Sequence, residues 1–90
     1  MKNVFVIGAG TMGSGIAQTA AMAGCRVKMY DLKQEFVDRG LKNIRSSWDK
    51  LTAKGILDKA SVDAALERIS LSLDPDDAAV SDMIIEAAVE

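Results

Sequence analysis

Residues 2–8, KNVFVIG, are apolar at successive positions and carry the β-branched Val4, Val6 and Ile7. That pattern predicts a strand covered on both faces, as in a parallel sheet. From Thr11 or Met12 to about Ala23, Met12, Ile16, Ala20 and Ala23 recur at helical spacing, and Gly24 stands where a helix stops. CRVKMYD then alternates Cys25, Val27 and Met29 against Arg26, Lys28 and Tyr30, a second strand ending near Asp31. From about Gln34 to Lys54, Val37, Leu41, Ile44, Trp48 and Leu51 form one continuous apolar stripe of a long helix, closed by Gly55.

A short helix over about Lys59 to Glu67 turns Val62 and Leu66 inward. ISLSL, Ile69 to Leu73, alternates strictly and predicts a third strand. DPDDAAV passes through Pro75 into a brief helical turn. DMIIEAA, from Asp82, is a fourth strand whose consecutive apolar positions predict a central place in the sheet. Strands alternating with helices in the order β-α-β-α-α-β-turn-β imply an α/β class with a parallel, right-handed sheet. The expected architecture is the first four strands of a Rossmann-like domain, truncated relative to the about six of a complete doubly wound fold, with an open sheet edge.

Gly8, Gly10 and Gly13 spell G-x-G-x-x-G as GAGTMG, after a predicted strand and at the opening of a predicted helix. In that context each glycine has a task. Gly8 permits the tight turn, Gly10 lets a pyrophosphate approach the backbone, and Gly13 lets the helix pack on the strand. The unpaired N–H groups and dipole at the helix start favour phosphate. Gly15 is assigned to close helix–sheet packing. Asp31, at the end of the second strand, is placed to accept hydrogen bonds from an adenosine ribose. Its charge favours NAD over NADP, a preference that the neighbouring Lys33 weakens slightly. A solvated turn aspartate beside a packing turn is the bland alternative.

The connection from Leu32 to Arg68 is long for two neighbouring strands, and such an insertion usually has a task. Asn43, Ser47, Lys50 and Lys54 share one face of the long helix. That face could hold an anionic ligand, although the pattern alone favours the plain wet side of an amphipathic helix.

Composition narrows the field. The chain has 90 residues, 49% apolar and 27% charged, with a net charge of −2. Neither this charge nor the sparse aromatics, Phe5, Tyr30, Phe36 and Trp48, fits nucleic-acid binding. Cys25 is the sole cysteine, so no internal disulfide forms, as in a reducing compartment. It reads as a small half-buried strand residue rather than a reactive thiol, since the chain has no histidine to activate it. Glycines break the early apolar run that would otherwise mimic a secretory signal. No stretch is long enough to span a membrane. A cytoplasmic protein binding no metal is expected.

VIGAGTMGSGIAQTAAMAG, YDLKQEFVDRGL and DMIIEAAVE together resemble the L-3-hydroxyacyl-CoA dehydrogenase family, in particular its short-chain bacterial 3-hydroxybutyryl-CoA members. The resemblance spans all 90 residues. It implies that Gly8, Ala9, Gly10, Thr11, Met12 and Gly13 surround the NAD pyrophosphate, that Asp31 holds the adenosine ribose and that Glu90 contacts NAD. It implies that the helix-turn-helix insertion, about residues 34–68, helps hold coenzyme A through Ser47 and Lys54. Lys50 is a guess.

The family's reaction is reversible hydride transfer between NAD and a 3-hydroxyacyl- or 3-oxoacyl-CoA. A histidine oriented by a glutamate moves the proton, assisted by serine and asparagine. No part of that machinery matches here, so no residue of this chain is expected to be catalytic. The chain reads as the amino-terminal part of an enzyme, with the reacting groups and a helical dimerisation domain beyond Glu90, and the parent a homodimer. Two other readings stay open: a non-enzymatic dinucleotide-binding or redox-sensing module, and an FAD- or NADP-dependent oxidoreductase.

Overall fold

Val4, Phe5, Val6 and Ile7 make the first strand almost wholly β-branched or aromatic, the types that fit a pleated surface. The computed structural model describes residues 2–87. Its strands are β1 (Asn3–Ile7), β2 (Arg26–Tyr30), β3 (Ile69–Ser72) and β4 (Met83–Glu86). They form one parallel sheet in the order β3-β2-β1-β4. Val4 pairs with Val27 on one side and Met83 on the other; Ile7 pairs with Tyr30 and Glu86. The connections are α1 (Thr11–Met22), α2 (Gln34–Ala53), α3 (Lys59–Glu67) and a 3-10 helix at Pro75–Val80. The strand order reverses at β1. A doubly wound sheet opens a crevice at such a switch point, beyond the strand ends.

Val4, Val6, Val27 and Met29 form one buried cluster with Val37, Ile44 and Trp48 of α2 and with Val62 and Ala65 of α3. The long apolar stripe of α2 is therefore the core face, as its spacing predicts. Phe5 points to the other side of the sheet and is also buried, its ring stacked on Tyr30 at 5.7 Å between centroids. Arg68 donates from Nε and Nη2 to the Ala21 carbonyl oxygen at 3.0 and 2.7 Å, tying the end of α3 to the end of α1. Asp58 caps α3, accepting from the Ser61 N–H at 2.7 Å. That bond holds its carboxyl below the usual carboxylate range.

Four expectations need correction. The buried face of α1 is Gly13, Ser14, Ala17 and Ala21; of the predicted stripe, Ile16 and Ala20 are half-buried against the core, whereas Ala23 is exposed and Met12 is 56% exposed. Small residues let α1 lie close to the sheet, so the larger apolar side chains fall on the adjoining face, with Ile85 of β4. Gly15 shares that face, and a Cβ there would meet nothing within 4 Å. Its predicted packing role is therefore not observed. The fourth strand is not central among the described residues: it pairs with β1 alone, and Met83 and Ile84 are exposed. The third strand ends at Ser72, which is buried, while Leu73 is exposed. Ser72 Oγ donates to the Asp77 carboxylate at 2.7 Å and accepts from the Asp74 N–H at 3.1 Å, so a hydroxyl closes the strand where alternation predicted leucine.

Gly13 is under a hard steric constraint: a Cβ there would overlap the Gly8 carbonyl oxygen. Gly13→Ala is expected to lower stability by about 2 kcal/mol, as overpacking against rigid backbone does. Gly15→Ala in the same helix should raise it by about 1 kcal/mol through helix propensity alone. Chemical denaturation of the two variants checks both signs.

Candidate functional site

The β1–α1 loop is built by three glycines doing three different things. Gly8 has φ 110°, the left-handed region that side chains avoid, and its N–H continues the ladder to the Tyr30 carbonyl at 2.8 Å. Gly13 admits the Gly8 carbonyl against α1. Gly10 is the N-cap residue of α1, with ordinary extended backbone at φ −76° and ψ −162°. A Cβ at Gly10 would touch no protein atom within 4 Å. The fold therefore does not demand glycine at position 10; a bare backbone there serves something that approaches from outside. No side chain caps α1 and no acidic residue stands in its first turn. The first helical N–H bond is Ser14 to the Gly10 carbonyl at 2.9 Å. The preceding turn thus presents its amides to the open side, and the helix dipole favours an anion there.

Asp31 lies directly beside this loop. Its Oδ2 accepts from the Ala9 N–H at 2.9 Å and its Oδ1 from the Leu32 N–H at 2.7 Å. A carboxylate has about four lone-pair sites, so about two remain for donors from outside the protein. The Ala9 N–H is committed to Asp31, so Ala9 supports the loop instead of presenting its amide to phosphate. Its side chain is buried, and α2 crosses over it at Gly40, where a Cβ would come within 2.7 Å of the Ala9 carbonyl oxygen. Position 40 lies inside the helical pattern and gave no warning of this contact in the sequence.

Gly8, Ala9, Gly10, Thr11, Met12 and Asp31 line one cleft of about 950 Å³ beyond the carboxyl ends of the strands. Gly13 sits beneath it. Phe36, Arg39 and Asn43 of α2, one helical turn apart, and Ala87 after β4 complete the lining. Phe36 and Arg39 escaped the sequence reading; their spacing on the helix that starts just after Asp31 was the available signal. Arg39 makes a long, exposed ion pair with Glu35 at 3.8 Å, a weak restraint that leaves its guanidinium free to reorient. Lys33 Nζ lies 5.8 Å from the Phe36 ring centroid. Bare backbone, open helix amides and an adjacent acid fit a diphosphate joined to a ribose.

A second hollow, about 390 Å³, runs along α2 and is lined by Asn43, Ser46, Ser47, Lys50, Leu51 and Lys54. It brings together all four polar positions of the predicted face. Two ammonium groups and two hydroxyls with no carboxylate among the lining residues make it a place for an anion. Glu90 lies outside the described residues.

Residues 3–90 match the family model described as the 3-hydroxyacyl-CoA dehydrogenase, NAD binding domain. A probable 3-hydroxybutyryl-CoA dehydrogenase of Bacillus subtilis is 42% identical over 90 residues, all of this chain and 31% of the relative. A second, from Deinococcus radiodurans, is 49% identical over 85 residues, 94% of this chain and 30% of the relative. The crystal structure of (S)-3-hydroxybutyryl-CoA dehydrogenase from Ralstonia eutropha superposes with a TM-score of 0.95 at 42% identity, covering 100% of this chain and 32% of that one. The chain thus spans about a third of the length of the relatives it matches. Matched over residues 3–90, the chain belongs to the NAD-binding domain of the 3-hydroxyacyl-CoA dehydrogenases, and NAD is its cofactor.

Proposed function

We propose that this chain is the NAD-binding portion of an oxidoreductase that interconverts 3-hydroxybutyryl-CoA and acetoacetyl-CoA, or their longer acyl homologues, by hydride transfer. The observation that carries this reading is the hydrogen bond from the Ala9 N–H to Asp31, which holds a carboxylate beside the bare backbone of the glycine loop. The proximity of the groove at Ser47, Lys50 and Lys54 supports an acyl-CoA rather than a free hydroxy acid.

In this mechanism NAD supplies the hydride acceptor, and the residues of this chain bind and orient. The open amides around Gly10, Thr11 and Met12 hold the diphosphate, and Asp31 accepts from the ribose hydroxyls. The negative charge of Asp31 repels a 2′-phosphate and so selects NAD over NADP. Ser47 and Lys54, joined by Lys50, hold phosphate groups of coenzyme A through charge-assisted hydrogen bonds. The chain has no histidine. We assign proton transfer to residues outside it, and residues 1–90 alone are expected to show no turnover of acetoacetyl-CoA with NADH. The whole protein is read as a cytoplasmic homodimer assembled through a C-terminal helical domain.

Gly10→Ala separates binding from folding. Its melting temperature should stay unchanged, since the added Cβ meets no protein atom, while NAD binding weakens by about tenfold or more, equal to about 1.4 kcal/mol. Asp31→Asn keeps an acceptor for the Ala9 N–H but removes the charge, and should narrow the gap between NAD and NADP affinity. Lys54→Ala should weaken coenzyme A by about tenfold, as loss of a charge-assisted hydrogen bond does, and leave NAD untouched. Calorimetric titration of each variant with NAD, NADP and coenzyme A reads all three. A chain that binds NAD but not coenzyme A would be a dinucleotide-sensing module instead.

A further inference from the structure

Asn43 lines both hollows: the dinucleotide cleft beside Phe36 and Arg39, and the groove beside Ser47 and Lys54. No other described residue belongs to both linings. Its side chain is exposed on α2, one helical turn from Arg39 and one from Ser47. A primary amide offers two N–H donors on one nitrogen. It can therefore donate to two acceptors approaching from different sides.

We infer that Asn43 is a contact shared by the dinucleotide and the acyl-CoA, and that it couples their binding. The inference rests on the function proposed above. Both ligands present anionic phosphate oxygens. Whichever arrives first orders the Asn43 amide, so the second meets a side chain whose rotamer freedom is already lost. The coupling is reciprocal: coenzyme A tightens NAD, and NAD tightens coenzyme A by the same factor.

The experiment measures the NAD dissociation constant with and without saturating coenzyme A, and the converse, for the unaltered chain, Asn43→Ala, Asn43→Asp, Asp31→Asn and Lys54→Ala. Circular dichroism confirms that each is folded; Asn43 and Lys54 are exposed positions. In the unaltered chain, coenzyme A should tighten NAD by about threefold, within the lower range of coupling between sites. Asn43→Ala should abolish that difference and weaken each ligand alone. Asn43→Asp should weaken both by about tenfold or more, since it places a like charge beside two anions. If Asn43→Asp affects only one ligand, or neither, while Asp31→Asn and Lys54→Ala behave as described, the shared contact is wrong and the two sites stand. Absence of any effect of coenzyme A on NAD affinity in the unaltered chain also overturns it. If Asp31→Asn and Lys54→Ala are silent as well, the assignment of the two hollows fails with it.

Discussion

The hydrogen bond from the Ala9 N–H to Asp31 Oδ2 joins the two parts on which the site depends. One is a loop that leaves β1 and starts α1; the other is the tip of β2. The bond extends the link made by the Gly8 N–H to the Tyr30 carbonyl one residue further into a loop whose glycines give it backbone freedom. The carboxylate accepts main-chain donors on both oxygens. The same side chain lines the cleft, so the acid belongs to the scaffold as well as to the cleft wall.

Close approach is the second constraint, and it is met by leaving side chains out. Gly13 admits the Gly8 carbonyl beneath α1, and Ala17 and Ala21 continue that thin face over the sheet. Gly40 does the same where α2 crosses Ala9. The loop is clamped between two helices, each of which carries a glycine at its point of contact. Gly10 differs in kind, since the space a side chain would take there is open.

The insertion after β2 then has a clear place. Its apolar stripe, with Val37, Ile44 and Trp48, anchors α2 in the core. Its remaining surface lines two adjacent hollows, so a single rigid helix sets the distance between them. Arg68 at the end of α3 grips the last turn of α1 and fixes the insertion to the dinucleotide half of the fold.

Local rules made much of this legible in the residues. Period-2 and period-3.6 patterns mark the strands and helices because each side chain must choose between sheet face, helix face and water, and α3 is placed residue for residue. The glycine spacing and Asp31 mark the cofactor because a phosphate needs bare backbone, and backbone conformation is a local property. What escaped depends on which surfaces meet. Gly40 and Arg39 look like any residues of a solvated helix until α2 is laid across the loop. Met12 and Ile16 form as good a stripe as Gly13, Ala17 and Ala21, and the tight fit of helix to sheet chose the smaller one. The sheet position of β4 and the merging of the polar face into a shared wall at Asn43 are likewise products of packing. Spacing along a chain records how an element is shaped, but the partner it faces is set only when distant segments compete for the same space.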